Sequence, residues 1–278
     1  MTKLRTLKEA IGLIKNGDSV AFGGNVLHRS PMAAVREIAR QGKANLKLIK
    51  TAGAMDIDLL CAMDCVASVD AGFVSYETKF GLANHYRRAV QAGKVKANEH
   101  ACYTVICALR AAAMNVPFMP VHGLKTGDLL TKNDYFVVVE DPFGGEPVTL
   151  VKTLTPDVAI LHVHACDENG NAVIHGPKFE DVLLSRAAKR VIVISEQMMP
   201  ENRLKQQPEQ VDIPSLLVHD VVHVPGGAAP GSCYKRYEVD TQSVMTFLSL
   251  MNREEIEAYL KRYEARDYAG ERRRTWKV

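Results

Sequence analysis

The feature that most narrows the fold is a strand, a glycine turn, a helix and a second strand packed into about thirty residues, the size of a βαβ unit. Ser19–Phe22 is a short apolar run that leads into Gly23-Gly24-Asn25. Ser30 then precedes Pro31, a pattern that predicts a serine N-cap with proline at the first helical position. The helix this predicts covers residues 31–40 and stops at Gly42, and residues 46–50 form the next strand. Two strands joined by a helix in this way run parallel, with a right-handed crossover. The alternation has a prelude and a sequel. Residues 6–15 carry Leu7, Ala10, Ile11 and Ile14 at helical spacing, closed by Asn16-Gly17. Further helix and strand signals follow at 56–63, Val66–Val74, 81–92 and 104–115. The fold class is therefore α/β, with a single open, mostly parallel sheet flanked by helices.

The second half adds hairpins to that frame. Residues 123–133 are polar and turn-rich. The runs at 135–139 and Val148–Lys152 flank Asp141-Pro142-Phe143-Gly144-Gly145 and read as a hairpin. A buried-type strand at 158–165 is followed by Asp167-Glu168-Asn169-Gly170-Asn171 and a short return strand, Asn-Gly being a strong hairpin signal. Next come a helix at 180–189, a strand at 191–195, a rigid loop at 225–231 and two helices at 241–251 and 253–266. No repeat, low-complexity tract or linker divides the chain, so residues 1–278 read as one domain.

Composition removes several function classes. Thirty-five basic against 32 acidic residues leave a net charge of +3, too small to argue for nucleic acid, and Arg272-Arg273-Arg274 reads as a solvated or interface tail. The most apolar long segment, 104–121, contains Arg110, Asn115 and two prolines, which speaks against a membrane span. The first residues contain Glu9 and no apolar signal core. The six cysteines include no Cys-x-x-Cys pair, so reduced and mostly buried thiols in a cytoplasmic protein are expected. Cys102 and Cys107 are expected on the buried face of their helix.

Residue patterns leave the chemistry open. Gly23-Gly24-Asn25 lies where ligands bind in such sheets, at the carboxyl end of a strand. It is not G-x-G-x-x-G, the second strand ends at Lys50-Thr51 without an acid for a ribose, and no P-loop motif occurs. The glycines serve either tight backbone packing or a turn whose amides face a substrate. His162 and His164 share one face of their strand, near Cys166 and His175. Catalytic zinc needs three placed ligands, and hydrogen-bonded core histidines are expected in place of a metal site. Ser75, in Gly72-Phe-Val-Ser-Tyr-Glu77, follows a strand; it is a site residue or a cap of the next turn, and no G-x-S-x-G motif makes it a hydrolase nucleophile.

Taken in order, several stretches resemble the A (alpha) subunit of family I CoA transferases of the glutaconate CoA-transferase type. They are Ser19-Val-Ala-Phe-Gly-Gly-Asn25 with Arg29-Ser-Pro31, then Gly72–Glu77 with Gly81-Leu-Ala83 and Tyr86-Arg-Arg-Ala89. Leu109-Arg-Ala-Ala-Ala113 with Pro117-Phe-Met-Pro120, and Asp141-Pro-Phe-Gly-Gly-Glu146, follow. Pro156-Asp-Val-Ala-Ile-Leu-His162, Asp167–Asn171 and Val224-Pro-Gly-Gly227 complete the set. The resemblance covers nearly the whole chain.

The resemblance implies half of an enzyme. Its members pair A and B halves, the nucleophilic glutamate belongs to the B half, and no catalytic residue is expected on this chain. The expected partner is the B half of a CoA transferase, in a heterotetramer; the expected substrates are an acyl-CoA, a dicarboxylic one being a candidate, and a carboxylic acid. CoA enters as a thioester substrate, with no tightly bound cofactor. Gly23, Gly24 and Asn25 with Ser75, Tyr76 and Glu77 would line the crevice shared with the partner. Glu168-Asn169-Gly170 mimics the Glu-Asn-Gly of the B half but falls in a hairpin turn. The segment Ala228-Ala229-Pro230-Gly231 departs from the histidine and hydroxyl residue that often follow Pro-Gly-Gly, which leaves the substrate open. The alternative is a CoA-ester hydrolase or decarboxylase on the same scaffold. Its hydrolase branch uses an A-half glutamate near the start of the 104–115 helix, for which Glu99 is the only acid nearby.

Overall fold

The computed structural model describes residues 3–124 and 128–272 of the chain. In the first half the elements are β1 (Leu4–Arg5), α1 (Leu7–Gly12), β2 (Ser19–Phe22), α2 (Met32–Arg40), β3 (Leu46–Gly53), α3 (Met55–Ala62) and β4 (Val66–Val74). After them come α4 (Glu77–Phe80), α5 (Asn84–Gln91), β5 (Lys96–Glu99), α6 (Cys102–Ala113), β6 (Phe118–Val121) and α7 (Leu129–Lys132). The second half holds β7 (Phe136–Val139), β8 (Val148–Lys152), β9 (Val158–Val163), β10 (Ala165–Cys166), β11 (Ala172–Val173), α8 (Asp181–Ala187) and β12 (Arg190–Ser195). It closes with α9 (Glu201–Gln206), β13 (Asp220–His223), α10 (Thr241–Leu248), α11 (Arg253–Asp267) and α12 (Ala269–Arg272).

Eight strands form one sheet in the order β1-β13-β12-β9-β2-β3-β4-β5. Every neighbouring pair in it is parallel. The chain builds outward from β2 through β3, β4 and β5, then returns to lay β9 on the other flank of β2 and continues to β12 and β13. The order therefore reverses between β2 and β9. At such a point the connections leave in opposite directions and open a crevice beyond the carboxyl ends of the strands.

Both faces of this sheet are covered, and alternate residues of its strands divide between two cores. Val158 and Ile160 of β9 join Leu7, Ile11, Val35 and Ile38 on one face. Ala159, Leu161 and Val163 join Val105, Leu109 and Leu184 on the other. Each fully buried leucine or isoleucine contributes about 1.5–3 kcal/mol relative to exposure. On the second face a small antiparallel sheet, β6-β8-β7, contains the expected hairpin, with Val139 opposite Val148.

Two local expectations change. Ser30 does not cap α2: Pro31 takes the cap position without a side-chain hydrogen bond, and the Ser30 hydroxyl donates to Asp56 Oδ2 at 2.7 Å. A buried carboxylate that needs donors outcompetes the helix end for that hydroxyl. Cys102 is exposed rather than on a buried helix face, because α6 begins at this residue; Cys107, a turn and a half later, is buried. The turn at 167–171 is a hairpin between β10 and β11. Asp167 Oδ1 accepts from the amides of Asn169, Gly170 and Asn171 at 2.9–3.0 Å, so Glu168-Asn169-Gly170 serves as a turn there.

The C-terminal helices return to the start of the fold. Asp267, at the end of α11, pairs with Arg36 of α2 through Nε at 2.8 Å and Nη2 at 2.5 Å, and with Arg40 at 2.7 Å. Arg273 and Arg274 of the basic tail lie outside the described residues, as does the Arg272 side chain. Among the described residues no helix is long and apolar enough to cross a membrane.

Candidate functional site

The crevice at the β2–β9 reversal is bounded first by the Gly23-Gly24-Asn25 turn, and two buried ion pairs hold that turn. Lys50 Nζ donates to the Gly23 carbonyl at 2.9 Å, to Ser30 Oγ at 3.1 Å and to Asp56 Oδ2 at 2.5 Å. Burial opposes the charge of Asp56, but the Lys50 ammonium and the surrounding donors outweigh it and hold the carboxyl below its ordinary value. Arg29 makes a bidentate pair with Asp181 at 2.7 and 3.0 Å and donates to the carbonyl oxygens of His162 and Pro177. Asp181 Oδ2 also accepts the Gly24 amide at 3.1 Å.

These contacts explain the two glycines. A Cβ on Gly23 would lie 2.4 Å from Asp181 Oδ1; one on Gly24 would lie 2.5 Å from the Arg29 carbonyl, at a φ of +70°. The Gly23 amide donates to Ile160 O and the Asn25 amide to His28 O, both at 2.9 Å. All three amides of the turn are thus engaged within the fold.

On the β9 side lies a pocket of about 390 Å³, lined among others by His28, His175, Phe179, Ser232, Tyr234 and Tyr237. Its back wall is a buried network. Tyr237 donates its hydroxyl hydrogen to Glu196 Oε1 at 2.5 Å, and His162 Nε2 lies 2.7 Å from the same oxygen. The Gly226 amide donates to Glu196 Oε2 at 2.8 Å. Burial works against ionised Glu196, but His162, Gly226 and Tyr237 prevail and bring its carboxyl down to about 2. His162, Glu196 and Cys233 have potential metal-ligand atoms within 4.8 Å of one another. Both Glu196 oxygens already accept hydrogen bonds, and burial raises the Cys233 thiol to about 12. The arrangement is that of a hydrogen-bonded scaffold. His164 is part of the same wall: its Nδ1 accepts the His175 amide at 3.1 Å, which leaves Nε2 as the donor to Tyr234 O at 3.0 Å. Burial lowers its imidazole to about 4, so it is neutral near pH 7.

On the other side of the turn, at the carboxyl end of β3, Thr51 meets two groups from the second face. Cys102 Sγ approaches Thr51 O at 3.5 Å, and the Glu180 side chain lies close to Thr51. Partial burial and the nearby Glu180 raise the Cys102 thiol, the reverse of what a nucleophilic thiolate needs.

The remaining expected site residues lie along the same sheet edge. Ser75 follows β4, two strands from β2 and so about 10 Å away at the usual strand spacing. Its hydroxyl donates to Gly81 O at 2.8 Å. Tyr76 is buried and donates to Asp58 Oδ2 at 3.1 Å, while burial raises the Asp58 carboxyl to about 6. Glu77 is exposed, with a left-handed φ of 62°. Glu99 is exposed at the end of the outermost strand, β5, and its carbonyl accepts from Asn133. The structure brings Gly23–Asn25 to the reversal point and sets the others progressively farther along the edge. Asp181, Glu196, Tyr237 and Glu180 escape a reading of the sequence; each sits among residues of mixed polarity with no motif or spacing that ties it to the crevice.

A parallel α/β sheet with a polar crevice at its reversal point defines the class: a doubly wound α/β protein, a fold in which ligands commonly sit beyond the carboxyl ends of the strands. Residues 4–224 match the coenzyme A transferase family, and the chain belongs to that family. It is 30% identical to the A chain of glutaconate CoA-transferase from Acidaminococcus fermentans, over 95% of this chain and 88% of that one. The crystal structure of that transferase superposes with a TM-score of 0.91 at 28% identity, covering 99% of this chain and 93% of the other. The crystal structure of a variant of the decarboxylase AibA/AibB superposes with a TM-score of 0.83 at 32% identity, covering 94% and 100%. An Archaeoglobus fulgidus protein is 36% identical over 94% of this chain, which spans only 59% of its length.

Proposed function

We propose that this chain is the A half of a two-subunit CoA transferase that moves CoA between an acyl-CoA and a carboxylic acid. A dicarboxylic acyl group is one candidate substrate. The observation that carries the reading is an incomplete site in a family of two-subunit enzymes. Cys102 has a raised thiol pKa, the Ser75 hydroxyl is bonded to Gly81 O, and the Tyr237 hydroxyl is bonded to Glu196. None of these is an activated nucleophile, and the crevice opens at the sheet edge where a second subunit can reach it. In this reading residues 1–278 act as one unit in a cytoplasmic heterotetramer with no tightly bound cofactor. The Gly23–Asn25 turn is a rigid wall of the crevice, and Ser75 to Glu77, with Glu99 farther out, lie along the edge that meets the B half.

The chemistry then divides one exchange into easier steps. A glutamate carboxylate of the partner attacks the thioester carbonyl and expels CoA thiolate, forming an acyl-glutamyl anhydride. The thiolate attacks the glutamyl carbonyl, releasing the acid and leaving glutamyl-CoA. The acceptor acid reverses both steps.

Co-expression with a candidate B-subunit gene, followed by incubation with acyl-CoA and borohydride, tests the proposal. The expected result is loss of activity that requires acyl-CoA, with the reduced residue found on the partner. Full turnover by this chain alone would overturn it. So would release of free acid and CoA, or of carbon dioxide, with no acceptor present; the decarboxylase relative makes the last outcome the sharpest competitor.

A further inference from the structure

The pocket on the β9 side is walled by aromatic rings and has no cation to spare. Its walls are segments that follow β2, β11 and β13. Arg29 ties it to the Gly-Gly turn: the guanidinium that lines the pocket holds Asp181, and Asp181 seats the Gly24 amide. A volume of about 390 Å³ is within the range of small-ligand sites. Pro177, Phe179, Tyr234 and Tyr237 supply its apolar surface. Phe179 and Tyr234 leave 38% and 51% of their surface exposed. The Tyr234 ring is set against the backbone of Gly176, where a Cβ would lie 2.8 Å from it. Rings held open in this way around a cavity favour an apolar guest.

Most polar groups of the pocket are already engaged. Both terminal nitrogens of Arg29 are bonded, to Asp181 and to the carbonyl oxygens of His162 and Pro177. Ser232 Oγ lies 2.7 Å from His28 Nδ1, and the Tyr237 hydroxyl donates to Glu196. Among the described residues that line the pocket, Arg29 is the only lysine or arginine, whereas Glu238 is an acid with no ion pair. Nor is an aromatic face kept for a cation. The Arg29 guanidinium already lies 5.6 Å from the Phe179 ring centre, and the Lys235 ammonium 5.4 Å from that of Tyr234. The uncommitted polar edges, His28 Nε2 and the His175 ring, belong to exposed residues that water can serve.

We propose that this pocket receives the acyl group of the thioester and selects an uncharged hydrocarbon group over one that ends in a second carboxylate. This rests on the transferase reading and, within it, decides against the dicarboxylic candidate. A terminal carboxylate would give up its water, meet no free cation and stand near Glu238. A branched or ring-shaped hydrocarbon of the same size gives up no hydrogen bond and covers the aromatic walls. The pantetheine arm of CoA fits less well, since its two amides need partners that the engaged polar groups do not offer.

A matched pair of donors tests this in the assembled A–B complex. Glutaryl-CoA and 5-methylhexanoyl-CoA differ in a terminal carboxylate against an isopropyl group of similar shape. Wild-type kcat/KM should favour 5-methylhexanoyl-CoA by about 10-fold or more, the lower end of what an apolar pocket imposes for one group. Glu238→Arg supplies the missing cation and should shrink or reverse that preference; Glu238 is exposed, so the substitution leaves the core intact. Phe179→Ala removes a wall and should raise KM for 5-methylhexanoyl-CoA. A wild-type complex that prefers glutaryl-CoA, or does not discriminate, overturns the proposal and leaves the transferase reading standing. So does transfer from acetyl-CoA alone. A preference that neither variant changes also overturns it, because the acyl group then lies elsewhere and a segment of the partner is free to fill the pocket. No transfer from any of the three donors overturns the functional reading and the acyl subsite together.

Discussion

Replacing Gly24 with alanine separates a structural turn from a ligand-facing one. The left-handed backbone at this position costs a non-glycine residue about 1–2 kcal/mol. The new methyl would lie 2.5 Å from the carbonyl oxygens of His28 and Arg29, main-chain atoms that cannot rotate aside. Such overpacking adds about 1–3 kcal/mol. The sum is about 2–5 kcal/mol, a large part of the 5–15 kcal/mol that holds most domains folded. Gly17 supplies the control. Its φ is +86°, yet nothing lies within 4 Å of its would-be Cβ, so Gly17→Ala incurs only the backbone part. Urea unfolding followed by circular dichroism, on the same chain and buffer, gives both values. In thermal melts at about 2–4 °C per kcal/mol, Gly24→Ala should melt about 4–20 °C below wild type and clearly below Gly17→Ala. Equal stabilities for the two variants would refute the packing argument. Loss of activity in Gly24→Ala with unchanged stability would restore the idea that the turn faces a substrate.

Two other perturbations follow from buried charges. Asp267→Ala strands the fully buried Arg36 guanidinium and should destabilise the chain by about 3–5 kcal/mol in urea unfolding, while Arg36→Met with Asp267→Leu should recover much of it; a single-variant loss under about 1 kcal/mol would show that the pair is not needed. His164 takes a proton at about 4 in the folded chain and at about 6.5 when unfolded, so its contribution is complete above pH 6.5 and is lost as pH falls toward 4, because the unfolded chain binds the proton first. The fall in urea midpoint between pH 7 and 5 should be smaller in His164→Asn than in wild type, and equal slopes would sink the assignment.

What could be read from the sequence was local. The strand, glycine turn, proline-led helix and second strand gave the parallel sheet because each signal lies within a few residues of the next. Edge strands were harder. Lys96–Glu99 has a polar sequence at the rim of the main sheet, and Phe118–Val121 contains a proline that an edge strand tolerates. Neither shows the apolar alternation that marks an interior strand. The reason for the Gly-Gly turn was also out of reach, since it lies in Asp181, a residue with no pattern tying it to position 24. Ser30 shows the opposite failure: a sound capping signal overridden by a buried aspartate. The His162 and His164 pair was legible as hydrogen-bonded histidines, but Glu196 and Tyr237, which make the wall around them, come from separate loops.

The bond between the Gly24 amide and Asp181 spans 157 residues of chain. A ribosome adding about 5–20 residues per second needs roughly 8–30 s to cover that interval. During this time the β2 turn exists without the carboxylate that seats it, and Arg29 exists without its counter-ion. The crevice wall is therefore among the later parts of the newborn chain to become set, although its glycines are among the first residues made. A partner that recognised this wall would have nothing finished to grip until well over half of the chain had emerged.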